Sequence, residues 1–440
     1  MSLHLSTNAR YWPAIFDLLL TFTLVACCMA TAHWKKQNPE QLPWLGHDAS
    51  QHLGAEHNQI AFALYQGRGF SDPFHGPTGP TSWMPPVLPT LMATAYWLFS
   101  GSKSHVIQIM IFTNAFSVLV STWIVLRQAR KLQLVLVSYA IVVVGLIVNF
   151  HQLFQSTSDS GILMLVVNLL WLGIASLTRV KWSNGRCVGW GAFGGFCALC
   201  SPVIGGVWAV LTSMYLLRSK AGLVPLAISA FMAIVVVAPW TVRNRVVFGT
   251  WIPIKSNGMY ELWQSQCLDN EGVLDSRTLF DQPFSGYSTQ RKQYQEIGEI
   301  AFVREKGKIA TRSIYENPVE FVRRLANRWS AACLYYMPMK AAEDLAGGGW
   351  PIFWKRLVFP APFLSLIVVL ILRPFPFESE LWTALAIYFF GLLPYVIISY
   401  YERYATPLLC MKMLLVLFGL HSLVSSRTFL TFLNRRMSST

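Results

Sequence analysis

Three residues in the first polar stretch of the chain, Asp48, His52 and Glu56, are spaced four apart. On a helix covering 48–66 all three fall along one face. An acid and a histidine on one face can bind a divalent metal or run acid–base chemistry, and the same pattern also describes a solvated polar face. Leu53, Ile60 and Leu64 form a neighbouring stripe that could rest on a membrane surface. A second acid, Asp159, follows Ser156, Thr157 and Ser158 where an apolar run begins, a position that suits a helix N-cap and a site carboxylate alike. Arg243 and Arg245 follow Pro239-Trp240 at the end of another apolar run, where guanidinium groups can hold an anion or anchor the chain at an interface. Glu402 and Arg403 stand before the last apolar run. Lys412 lies about two turns inside that run, where its ammonium can neutralise a lipid phosphate or snorkel outward.

A carboxylate can take the proton from an acceptor hydroxyl, and Arg or Lys can hold a phosphate leaving group. The substrate that fits both is an amphiphile with a phosphate at membrane level.

The elements that must position these groups are membrane helices. The chain has 440 residues, 54% of them hydrophobic and 13% charged, and a mean hydropathy of +0.42. That is too little charge for a soluble surface of this size, and the apolar runs are long enough to cross a bilayer. The expected fold is an all-α polytopic membrane protein with about ten spans. The first, Tyr11 to Ala32, reads as an anchor because it lacks a small-residue cleavage site. The others are 105–126, 132–150, 160–177, 187–202, 203–217, 222–240, 353–372, 380–399 and 405–423. The short piece Val87–Phe99, bracketed by Pro86 and Gly101, reads as interfacial. Every basic cluster between short loops then falls on one side, as the positive-inside rule requires. The net charge of +14 is explained by those clusters, with no basic stripe interleaved with aromatics to suggest nucleic acid.

Three regions follow: 1–240, an N-terminal transmembrane module with its first external loop at 33–104; 241–352, a large and mainly helical external loop; and 353–440, the C-terminal spans and a short cytoplasmic tail. Asn317-Pro318 marks a helix start within the large loop. Cys197 and Cys200 form a CxxC inside an apolar run and read as packing. Cys267 and Cys333 share the large loop, which leaves a disulfide open.

Four stretches in chain order resemble the GT-C glycosyltransferases, membrane enzymes that use polyprenyl-phosphate sugars and include protein O-mannosyltransferases and the lipid A aminoarabinose transferase. "EHNQIAFALYQGRGFSDPF" resembles their first-loop acid, helix and Gly-x-Gly-Phe turn, and "GPTSWMPPVLPTLMATAYWLFSG" the Trp/Pro-Pro segment that follows. "APWTVRNRVVFG" resembles a Pro-Trp-x-x-Arg-Asn junction, and "YYERYATPLL" an Arg-Tyr-x-x-Pro opening of a late span. The resemblance implies a catalytic carboxylate at Glu56, in register with Gly67-Arg68-Gly69, with Asp48 next in line and Asp159 as a second acid. It implies substrate-binding or loop-positioning roles for Arg243, Asn244, Arg403 and Tyr404, and leaves His52 and Lys412 as further binding candidates. Met84 stands where aminoarabinose transferases carry an acid, and the Asp-Glu pair of some branches is missing, so a divalent metal stays open. The implied partners are the bilayer, a polyprenyl-phosphate sugar donor and a protein, lipid or glycan acceptor. The active site would lie on the external or periplasmic face of the inner or plasma membrane. A lipid or glycan flippase is the alternative, suggested by a broken-helix reading of "GGFCALCSPVIGG". A non-catalytic envelope assembly protein is another.

Overall fold

The computed structural model describes residues 12–38, 55–177, 182–218, 223–268, 270–275, 278, 282–284, 288–338, 350–373 and 377–426. These residues form an all-helical membrane-protein fold. Six helices are long and apolar enough to cross a bilayer: Pro13–Gln37, Lys103–Lys131, Leu223–Phe248, Ile352–Leu372, Ser379–Ile398 and Glu402–Ser425. The expected count of about ten is therefore not reached by length. The other four expected spans are helices of 14 to 17 residues, Val135–Val148, Ser160–Ser176, Asn184–Cys200 and Pro202–Arg218. Local backbone breaks shorten them, such as Gln133 at φ +58° and the extended Ser201 at φ −158°.

In chain order the helices that matter for the site are α1 (Trp12–Gln37), α2 (Ala55–Tyr65), α3 (Val87–Leu98), α4 (Lys103–Lys131), α5 (Val135–Val148), α6 (Phe150–Phe154), α7 (Ser160–Ser176), α8 (Asn184–Cys200), α9 (Pro202–Arg218) and α10 (Leu223–Phe248). The large loop carries α11 (Gly258–Cys267), α12 (Thr289–Ile297), α13 (Glu299–Glu316) and α14 (Pro318–Cys333). The chain then returns through α15 (Trp350–Val358), α16 (Ala361–Leu372) and α17 (Ser379–Ile398), and a 3₁₀ turn at Glu402–Leu408 leads into α18 (Leu409–Ser425).

The 12-residue α3 spans about 18 Å at the helical rise, well short of a hydrocarbon core. Its Leu91, Trp97 and Leu98 are exposed while Met92, Ala93 and Tyr96 pack inward. One side of the helix is therefore packed and the other left open. Ile60, expected on a membrane-facing stripe, is instead fully buried, because α2 packs against α3 through Ala61 and Leu64.

The suspected broken helix is an antiparallel hairpin. Ala198 lies against Gly205, Trp208 against Gly194, and Trp190 Nε1 donates to Thr212 Oγ1 at 3.0 Å, three pairs arranged about a corner at Ser201. On its other face α8 presents Gly191 and Gly195, one turn apart, to the α10 backbone. A Cβ at Gly191 would come within 2.2 Å of the Ser229 carbonyl oxygen. Close backbone approach through small residues is the usual way helices associate in lipid.

At the far end of the bundle from the Ser201 corner, Asp17 of α1 is fully buried and accepts hydrogen bonds from Arg130 (Nη2, 2.6 Å) and from Tyr139 OH (3.0 Å). Three helices share this one carboxylate, which is how a charge is tolerated in such a setting. All eight cysteines are free: Cys197 and Cys200 are buried as packing residues, and no disulfide joins Cys267 to Cys333.

Candidate functional site

The end of the bundle that holds the Ser201 corner also gathers the first loop, the turn before α7, the start of the large loop and the turn before α18. They enclose a cavity of about 750 Å³. Its walls are apolar along α7, α9 and α17, through Leu163, Val207, Val210, Phe390 and Leu393. Its polar lining is concentrated in His57, Asp159, Lys255, Glu261, Arg403 and Tyr404.

The first loop is built by local rules. Helix α2 ends in a turn whose Gly67 and Gly69 sit at φ +77° and +75°, a conformation that disfavours side chains. Asp72, itself at φ +54°, accepts from the backbone N–H groups of Thr78 (2.8 Å) and Gly79 (2.9 Å) and from Arg68, which closes the Gly/Pro-rich stretch on itself. Phe74 and Trp83 then pack edge-on at 5.2 Å and join Tyr260, Tyr294 and Phe302 of the large loop in one aromatic core. The first and large loops thus fold together.

One carboxylate fastens that joint. Glu299, at the first turn of α13 and nearly inaccessible, accepts from Thr81 Oγ1 (2.5 Å), Ser82 N (2.9 Å), Ser82 Oγ (3.0 Å), Ser256 Oγ (2.7 Å) and Tyr294 OH (2.8 Å). The segments it ties lead directly into Met84, Pro85 and Lys255 of the cavity lining. Burial, with Glu299 beside it, pushes the Tyr294 phenol well above its ordinary range. Below, Arg328 of α14 is fully buried and donates to the Val396 (2.5 Å) and Ile397 (3.1 Å) carbonyls. It satisfies the open C-terminus of α17 with a positive charge. Burial pulls its guanidinium down to about 10, and neighbouring Arg324 adds to the effect.

Sequence-predicted residues divide into four groups. Glu56, Asp159, Arg403 and Tyr404 come together. Arg403 lies within electrostatic reach of Glu56, Asp159, Tyr401 and Tyr404. Tyr404 stacks on Tyr395 at 4.5 Å and meets Tyr401 at 4.4 Å, and its hydroxyl approaches Glu261 Oε2 at 3.4 Å. Asp159 stands at the N-cap position of α7 but makes no capping hydrogen bond, so its carboxylate is turned to the cavity lining instead. Asn114 fixes the preceding turn by donating to the Ser158 carbonyl at 2.9 Å.

Arg243 and Asn244 do structural work. Arg243 donates to the Phe70 and Thr81 carbonyls, both at 2.7 Å, and is framed by the rings of Phe70, Trp240 and Phe248. Asn244, fully buried, donates to the Ile252 carbonyl at 3.0 Å, and Trp240 Nε1 to that of Ile254 at 2.7 Å. The Pro-Trp-x-x-Arg-Asn junction is thus a clamp between α10 and both loops, and Arg243 is taken up as a loop-positioning residue. Lys412 is apart from the cavity, its ammonium 5.3 Å from the centre of the Phe359 ring. Asp48 and His52 lie outside the described residues.

The site holds groups the sequence did not single out. His57 is buried next to Glu56. Glu261 accepts from Lys255 Nζ (3.0 Å) and Asn257 Nδ2 (2.9 Å). Glu261 and Lys255 follow soon after the Pro-Trp-x-x-Arg-Asn junction, but no periodicity marks them. The Glu56 carboxyl is raised above its ordinary value, first by burial, and then by Glu261, while Arg403 and Lys255 pull it back. Burial lowers the His57 imidazole to about 4, so it is neutral at physiological pH. Burial also pushes the Tyr401 phenol up to about 12. Among the described residues no three His, Cys, Asp or Glu side chains gather as a metal site. A carboxylate with a raised proton affinity, a fixed guanidinium and an apolar-walled cavity can together bind a phosphate-bearing amphiphile and move a proton beside it.

No protein-family model, curated protein or solved structure matches the chain.

Proposed function

We propose that the chain is a membrane glycosyltransferase that moves a monosaccharide from a polyprenyl-phosphate donor to an acceptor hydroxyl, with Glu56 as general base. The carrying observation is the gathering of Glu56 and Asp159 about Arg403, with Asp159, Arg403 and Glu56's neighbour His57 lining one apolar-walled cavity. In this reading the prenyl chain lies along α7, α9 and α17 and the donor phosphate lies against Arg403. Glu56 accepts the hydroxyl proton as the acceptor oxygen bonds to the anomeric carbon. The bond from that carbon to the phosphate oxygen breaks, and Arg403 holds the charge left on the departing polyprenyl phosphate. A carboxylate whose proton affinity is raised toward working pH is suited to that transfer. The shorter apolar helices bring the crossings to about ten. The cavity end then faces outward, opposite the end that carries Arg127, Arg130, Lys131, Arg218 and Arg373.

The reading is tested by incubating purified wild-type protein with a panel of polyprenyl-phosphate monosaccharides and hydroxyl-bearing lipids. Release of polyprenyl phosphate coupled to a glycosylated lipid is expected for one sugar. No coupled release across the panel would count against it.

A further inference from the structure

A second concavity, of about 930 Å³, lies beside the candidate site and shares Pro253 and Lys255 with it. It runs between the segment following α10 and the flank of α13. Its floor is apolar, with Ile252, Met259, Ile300 and Val303. Gly307 keeps α13 close here, since a Cβ on it would reach Met259 at 3.0 Å. Trp251 stands at the rim, 67% exposed, with the Arg245 guanidinium 5.8 Å from its ring. An arginine in the last turn of a membrane-length helix and a tryptophan just past its end mark the level of the lipid headgroups.

The charge in this groove is one-sided. Lys255 is paired with Glu261, and Arg312 with Glu316. Arg304 and Lys308 line the same wall one turn apart on α13. Both are exposed, and neither has an ion-pair or hydrogen-bond partner among the described residues. Two uncompensated cations over an apolar floor at headgroup depth match a ligand with an anionic head and hydrocarbon tails.

We propose that this groove is a binding site for an anionic membrane lipid. Arg304 and Lys308 hold its phosphate, and Trp251 and the Ile252–Met259 floor hold its first methylenes. The inference does not depend on the glycosyltransferase reading, because binding is measured without any sugar donor.

The test uses the purified full chain in neutral detergent with fluorescent short-chain phosphatidylglycerol and phosphatidylcholine carrying identical tails, read by anisotropy. The wild type should bind the anionic lipid about tenfold more tightly or better, given the contribution of two basic residues near a headgroup. R304Q/K308Q should erase that preference, and the charge-conserving R304K/K308R should keep it. W251A should weaken both lipids alike. Millimolar inorganic phosphate should not displace the anionic lipid. Equal affinity for the two lipids in the wild type, a preference retained in R304Q/K308Q, or displacement by inorganic phosphate alone would each overturn the proposal.

Discussion

Glu299→Ala removes the acceptor that five donors share. The four hydroxyl hydrogen bonds come from groups that can rotate toward one another, but the Ser82 N–H is fixed by the backbone. An orphaned buried N–H costs about 1–3 kcal/mol, and losing at least one charge-assisted bond adds about 1.5–3 kcal/mol. The local joint between the two loops should therefore weaken by about 3–5 kcal/mol, which is about two to three and a half orders of magnitude in its opening equilibrium. Hydrogen–deuterium exchange on peptides covering 78–88 reads this directly, since the Ser82 amide exchanges only when the joint opens. Protection at these amides should collapse by that factor, while amides in α4 exchange as before. A change below tenfold at Ser82 would refute the view that Glu299 holds the first loop in place.

The remaining expectations concern pH, the buried pair and topology. If Glu56 is the base it acts only when deprotonated, so kcat/KM should rise with pH through its raised pKa, with the acid limb above that of an ordinary carboxylate. Glu261→Gln should move that limb down and Lys255→Met should move it up, as a pH–rate profile of each variant would show. Arg130→Met leaves Asp17 buried without its guanidinium, and melting in detergent should show a loss of about 3–5 kcal/mol that Asp17→Asn largely restores in the double variant. For topology, Arg127→Cys in a cysteine-free background should resist an impermeant thiol reagent in intact cells, because Arg127 is exposed at the end of α4 opposite the cavity. Rapid labelling would reverse the assigned orientation.

Much of the fold was legible because lipid imposes a strong rule: apolar runs must be helices. The interfacial reading of Val87–Phe99 rested on its short length together with the basic clusters, which then fall on one side. Hydropathy located the apolar segments but not their helix lengths, since a backbone turn such as Gln133 ends a helix without changing the apolar run. At the site, Glu56, Asp159 and Arg403 were visible because each stands at a helix start or loop edge with a charge out of keeping with its surroundings. Arg243 had the same signature and proved to be a clamp, since a guanidinium satisfies backbone carbonyls as readily as a phosphate. Glu299 and Glu261 were hidden. They lie in amphipathic helices where a glutamate is ordinary; Glu299 gains Thr81 and Ser82 only when the first loop packs on it, and Glu261 gains Tyr404 only when the turn before α18 approaches.

The most direct measurement of the central claim is sugar transfer by Glu56→Gln protein, compared with wild type under saturating polyprenyl-phosphate donor. The substitution keeps the side chain's size, so donor affinity and melting temperature should hold. Transfer should fall by about two orders of magnitude or more, the scale of a positioned general base. Undiminished transfer in this variant would contradict the assignment of Glu56 as the base.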